Sequence, residues 1–225
     1  MQPLPRRESL TEMTVSRLRE AIVTGEFAFG ELLSEGRIAA LLGVSKTPVR
    51  EAFQQLRREG LVEIQPQRGT VVFTPGEEEF AALVDFRTVL EVAALRAAMA
   101  RAPQALSRDL ADIVSRMRLA RKEERTRDYL ALDGRFHDAI VANSNNAYLV
   151  DAYAGIASKM AALRTQLGQA PELMEKSMRE HEAIAEAVAA DDLAGALAVI
   201  EEHITRRRGS YWQERPTVAA AKTAV

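Results

Sequence analysis

Over most of this chain, apolar side chains recur every three or four positions, the spacing that leaves one buried stripe along an α-helix. Val15, Leu18 and Ile22 set such a stripe over Thr11–Thr24, with Gly25 just past its end. A second stripe starts at Ser34, whose hydroxyl suits an N-cap, and buries Ile38, Leu41 and Leu42. It stops at Gly43, where glycine most easily takes a left-handed C′ conformation. A third carries Val49, Ala52, Phe53 and Leu56 at i, i+3, i+4, i+7; Ser45 or Thr47 can cap it, and Pro48 falls in its first turn, where a missing N–H costs little. After Gly60 the period becomes two. Leu61 to Ile64 and Thr70 to Phe73 form a hairpin pattern around a polar tip at Pro66, Gln67, Arg68 and Gly69.

Thr74-Pro75-Gly76 breaks the pattern, and beyond it strand signals disappear. Six helical stretches are predicted there: Glu77–Ala102, Gln104–Lys122, Arg125–Ala142, Ala147–Leu167, Pro171–Ala190 and Leu193–Trp212, with Asn146 able to cap the fourth. Residues 1–9 and the last ten or so are expected to be loose. The fold class is mainly α: a winged helix-turn-helix over residues 1–74, a linker at 75–76, and an all-α bundle of about six helices over 77–225.

Composition narrows this further. At 225 residues and 47% hydrophobic content the chain can bury two cores, and 5% aromatics suits helices better than sheets. Without cysteine, disulfides and thiolate metal sites are excluded. The start, MQPLPRRESL, has no apolar signal core, and no run approaches the ~18 apolar residues of a membrane span, so a cytoplasmic protein without a membrane partner is expected. Net charge is −2, and residues 1–74 hold ten Lys and Arg against nine acidic residues. Contact with a polyanion must therefore come from clustering and from pairing of two copies.

Such clustering exists on the third helix, whose outward face holds Lys46, Thr47, Arg50, Gln54 and Arg57. These types hydrogen-bond base edges and phosphates, and a helix fits the major groove of B-DNA, its N-terminal end reaching the bases. A solvated polar face is the competing reading. The stretch SEGRIAALLGVSKTPVREAFQQLRREGLVEIQPQRGTVV resembles the winged-helix domain of GntR-family bacterial transcription regulators, GVSKTPVREA being its specific signature. The resemblance implies DNA contacts by Arg37, Ser45, Lys46, Thr47, Arg50, Gln67, Arg68 and Gly69. Where the family usually has arginine before Thr-Pro, this chain has Lys46, which keeps the charge but loses the planar fork suited to guanine. Where LSE is commonly followed directly by arginine, Gly36 precedes Arg37.

The three histidines, His137, His181 and His203, all lie in the helical half. Asp133 stands four residues before His137, the spacing at which one helix face offers two ligands to one ion. Ile140, Ile184 and Ile200, each three residues from a histidine, suggest that the imidazoles face the interior. Three unrelated structural histidines are the alternative. LDGRFHDAIVANSNNAYL, SMREHEAIAEAV and AVIEEHITR resemble the ligand-bearing segments of the effector domain in the fatty-acid-regulator (FCD) subfamily of GntR regulators. That resemblance implies one divalent ion, zinc foremost with nickel or manganese as alternatives, on Asp133, His137, His181 and His203. DFRTVLEVAALRAA resembles that domain's first helix, which puts Arg87 where the effector's carboxylate is held; an Arg87–Glu91 pair on a solvated face is the plainer reading. The expected function is a homodimeric transcription regulator on an inverted-repeat DNA operator, controlled by a small organic acid. The alternative is a metal-dependent hydrolase or lyase at the same Asp/His site.

Overall fold

The computed structural model describes residues 8–66 and 68–205. By its contacts the chain divides into two compact units, one running to Thr74 and including Ala157–Gln166, the other holding Pro75–Ile156 and the residues from Leu167 on.

In the first unit, α1 (Leu10–Val23) opens on a capping box in which Ser9 Oγ accepts from the Glu12 N–H while Glu12 accepts from the Ser9 N–H. Ser9 is thus the helix start, not part of a loose leader, and Ser-x-x-Glu is the sequence signal for it. Strand β1 (Leu32–Leu33) was not foreseen, since two residues are too short to display a period. Helix α2 (Glu35–Leu42) is capped by Ser34, whose Oγ accepts from the Arg37 N–H at 3.1 Å, and ends at Gly43 with φ +66°. Ile38 and Ala39 are its buried residues, whereas Leu41 is 59% exposed. Ala39 lies to one side of Ile38 on the helix and Leu41 to the other, so burial of Ala39 turns Leu41 outward.

Helix α3 (Lys46–Arg58) buries Val49, Ala52, Phe53 and Leu56 as its spacing predicts. Ser45 stands at its N-cap without a side-chain capping bond. An Arg19–Glu59 pair with two hydrogen bonds, at 2.8 and 2.7 Å, ties α1 to the end of α3. Strands β2 (Val62–Gln65) and β3 (Gly69–Val72) form the hairpin, and β1 adds to the other edge of β3, giving an antiparallel sheet in the order β1-β3-β2. These elements make a winged helix-turn-helix.

The second unit holds α4 (Glu77–Arg101), α5 (Pro103–Lys122), α6 (Thr126–Asn143), α8 (Pro171–Ala189) and α9 (Leu193–Thr205), together with the first half of α7 (Ala147–Leu167). Asn146 Oδ1 accepts from the Tyr148 and Leu149 N–H groups and so caps α7 as expected. The expected extension of the last helix to Trp212 lies outside the described residues. Helices α4 and α5, α6, and α8 and α9 pack around Leu95, Leu110, Phe136, Ile140, Ile184 and Ile200, all fully buried. Into that apolar interior the sequence sets Arg87, Glu91, Asp133, His137, His181 and His203, each 1% exposed or less. Buried ionisable groups are costly unless paired. Their grouping is the main departure of this core from ordinary packing.

Candidate functional site

The three imidazoles come from α6, α8 and α9 and converge by their Nε2 atoms. His137 Nε2 lies 3.4 Å from His181 Nε2 and 3.3 Å from His203 Nε2. One nitrogen from each ring falls within 4.8 Å of the other two. Nitrogens at ~2.0 to 2.1 Å from a tetrahedral ion would be separated by about 3.3 Å. The donor spacing therefore fits a first-row divalent cation.

The outer nitrogens fix the protonation of the inner ones. Glu91 Oε2 lies 2.7 Å from His137 Nδ1, and Glu180 Oε2 lies 2.8 Å from His203 Nδ1. A carboxylate only accepts, so each Nδ1 donates, and a ring that is neutral then turns its Nε2 lone pair inward. With both rings neutral, two lone pairs face each other at 3.3 Å. That arrangement is repulsive without a cation between them.

Asp133, one turn before His137 on α6, places Oδ2 3.8 Å from His181 Nε2 and accepts from Ser177 Oγ at 3.0 Å. It adjoins His181, while the donor atoms that lie within 4.8 Å of one another belong to the three histidines. Imidazole nitrogens suit zinc and nickel, and a nearby carboxylate makes harder ions such as manganese tolerable.

Arg87 is buried, not on a solvated face. Its Nε donates to Glu91 Oε1 at 2.5 Å, and Tyr153 Oη lies 3.3 Å from the same oxygen. The i, i+4 ion pair exists, but in the core it joins a chain from guanidinium through carboxylate to imidazole. Burial pushes the Glu91 carboxyl up, but Arg87 and His137 outweigh it and hold it at about 2. Burial lowers His137 from its ordinary value, against the pull of Glu91.

Both shifts make the fold acid-sensitive. The unfolded chain protonates its histidine near pH 6.5 while the folded chain resists, so stability present above that pH is lost as pH falls below it. Glu91 adds stability present above about pH 4.5 and lost toward pH 2. The melting temperature of the chelator-treated chain should fall steadily from pH 7 to pH 4. A melting temperature flat across that range would contradict the burial of ionised Glu91 beside neutral His137.

Glu180 and Ser177 escaped the sequence reading. Glu180 lies on α8 and His203 on the next helix, α9, so no single-helix period relates them; only the fold brings them together.

In the winged unit, Ser45, Lys46, Thr47 and Arg50 stand exposed at the start of α3. Gln54 and Arg57 continue the same exposed face. Arg50 donates twice to Glu35 of α2, at 2.9 and 2.8 Å, and that contact raises its pKa and lowers that of Glu35. Arg68 and Gly69 are exposed at the hairpin tip; Gln67 lies outside the described residues. Arg37 is turned to its own unit, bonded to Glu31 Oε1 at 2.8 Å with its guanidinium 5.7 Å from the Phe27 ring centre. The structure thus groups Ser45, Lys46, Thr47 and Arg50 and ties Arg37 elsewhere.

The family model "Bacterial regulatory proteins, gntR family" matches residues 10–72, and the FCD domain model matches residues 82–206. A "Probable D-xylose utilization operon transcriptional repressor" of Paenarthrobacter nicotinovorans is 30% identical over 201 residues, 87% of this chain and 88% of the relative. A gluconate operon transcriptional repressor of Bacillus licheniformis is 27% identical over 83% of this chain and 78% of its own. Among solved structures, a GntR regulator from Rhodococcus sp. RHA1 matches with a TM-score of 0.82 at 24% identity, covering 92% of this chain and 100% of that one. E. coli McbR/YncC matches with a TM-score of 0.78 at 22% identity, covering 92% and 99%. These two likenesses concern the fold. Among the described residues no helix is long and apolar enough to cross a membrane.

Proposed function

We propose that this chain, which belongs to the GntR family of bacterial regulatory proteins and carries its FCD domain, takes its signal as a small carboxylate bound beside a divalent cation in the helical unit. The chain is a DNA-binding transcription regulator, and its relatives are regulators rather than enzymes. The single observation behind the metal reading is the meeting of two Nε2 lone pairs at 3.3 Å, each enforced by a carboxylate behind its ring. His137, His181, His203 and Asp133 would hold the ion, which when bound supplies a Lewis-acidic position for an anionic ligand.

Arg87 is the second half of the proposed ligand site. Its guanidinium has five N–H donors, and the Nε–H is used on Glu91. A carboxylate reaching both the cation and Arg87 gains charge-assisted bonds in a medium that strengthens them. One relative is named for a gluconate operon, and gluconate is a hydroxycarboxylate of this class. Ligand binding changes operator affinity by whatever free-energy difference the ligand makes between DNA-competent and DNA-incompetent states.

On the DNA side we assign Ser45, Lys46, Thr47 and Arg50 to an operator contact, supported by Arg68 and Gly69 at the hairpin tip and, from the sequence motif alone, by Gln67. The Arg37 contact suggested by the family pattern would require that side chain to leave Glu31. With so little net positive charge, tight binding needs two copies on an inverted repeat.

Calorimetric titration of the chelator-treated full chain tests the ligand site. Zinc, nickel or manganese should bind once per chain, and gluconate, citrate or lactate should then bind only to the loaded protein. Neutral D-xylose serves as the contrast; a response to it and to no carboxylate would contradict the proposal. Glu91→Gln should weaken metal affinity by roughly 10- to 100-fold, because it loosens the tautomer and orientation of His137 without removing a ligand. Unchanged affinity in that variant would remove Glu91 from the account.

A further inference from the structure

Gly36 is a glycine that the fold does not ask for. It lies in the first turn of α2, in ordinary helical backbone, where glycine is the weakest helix former after proline. It is exposed, and among the described residues a Cβ placed on it would meet one atom within 4 Å, Lys46 Cε at 3.9 Å, which is ordinary contact. Neither backbone conformation nor packing accounts for it. What the missing side chain leaves is open space beside Lys46. Ten positions apart in the chain, Gly36 and Lys46 are the two at which the sequence differs from its family's pattern, and in the structure they adjoin.

Lys46 opens α3, at the helix end assigned above to the operator, and its stem lies against the first turn of α2. The same turn holds Glu35, which accepts two hydrogen bonds from Arg50. Those bonds lower the Glu35 carboxyl from its ordinary range, and the charge of Lys46 adds to the shift. Lys46 thus stands near an acid that already has its cation, and among the described residues its ammonium makes no hydrogen bond or ion pair. An ammonium on a four-carbon stem turns freely where nothing obstructs the stem. We infer that Gly36 is a specificity-determining residue that acts through Lys46: the bare backbone at 36 lets the Lys46 ammonium swing from α2 to the base edges of the major groove. There, as a point charge, it donates to whichever acceptor the base pair presents, guanine O6 or N7 or thymine O4. The pair under Lys46 is therefore read loosely. A longer side chain at 36 confines the stem and changes that reading.

The inference rests on the assignment of α3 to the operator and adds the residue that frees its first side chain. Duplexes randomised over one half-site are selected with the full chain as wild type, Gly36→Gln, Lys46→Ala and the double variant. Glutamine is a good helix former, so Gly36→Gln should melt at or above the wild-type temperature. It should weaken binding to the wild-type consensus by roughly 3- to 10-fold, less than the loss of a bidentate contact, and shift base preference at the same pair as Lys46→Ala. In the Lys46→Ala background, Gly36→Gln should change neither affinity nor preference. Gly36→Ala, whose Cβ only touches the stem, should bind like wild type. A Gly36→Gln shift that persists without Lys46 would overturn the inference and make Gly36 a direct neighbour of DNA. Unchanged preference in Gly36→Gln, or a lower melting temperature, would overturn it while Lys46→Ala still shifts preference and keeps the operator assignment. Unchanged preference in Lys46→Ala would remove Lys46 from the operator contact, and the inference with it.

Discussion

His181→Ala should lower the affinity of the full chain for divalent metal by more than about 100-fold and leave it folded, since loss of outer partners alone costs ~10- to 100-fold. His181 is the informative position among the three. Removing His137 would take the Nδ1 donor from buried Glu91, and removing His203 would take that of Glu180, so both changes mix ligand loss with an unpaired carboxylate. His181 contributes Nε2 beside His137, lies 3.8 Å from Asp133 Oδ2 and packs its ring 4.4 Å from that of Phe136, so its truncation removes a ligand together with that contact and some packing. In the unloaded chain the same change relieves crowding of nitrogens. Its melting temperature should therefore gain less from added metal than that of the wild type. Equal metal-induced stabilisation in both would show that the histidines bind nothing in common.

Arg50→Ala should weaken operator binding by roughly 5- to 150-fold per half-site, and a dimer engaging two half-sites feels the loss twice. The exposed guanidinium at the start of α3 presents a planar fork, currently matched by Glu35. DNA binding must exchange that carboxylate for a phosphate or a base edge. Glu35→Ala should accordingly tighten binding, above all to non-operator DNA, and steepen its salt dependence. Lys46→Ala should act more weakly than Arg50→Ala, because a point charge specifies geometry less than a fork does. A mobility-shift assay in which Arg50→Ala binds like wild type would move the DNA contact off this helix.

Periodicity exposed the helices of both units because each buries a stripe wide enough to repeat. It failed where burial is set by few residues: β1 has two, and Leu41 lost its place in the core to Ala39. The histidines and Asp133 were legible through one local spacing and the isoleucines that share their faces. Glu91 was visible only as an i, i+4 partner of Arg87, a pattern common on wet surfaces, and its role behind His137 requires α6 to pack on α4. Glu180 is bound to His203 by a contact across α8 and α9, for which no single-helix period exists.

The proposed ligand site depends on a cation held among His137, His181 and His203. The direct measurement is metal content: full chain stripped with chelator, reloaded with zinc, nickel or manganese, freed of excess ion and analysed by elemental mass spectrometry. One ion per chain in the wild type and essentially none in His181→Ala is the predicted result. The same metal content in both proteins, or none in either, would contradict it.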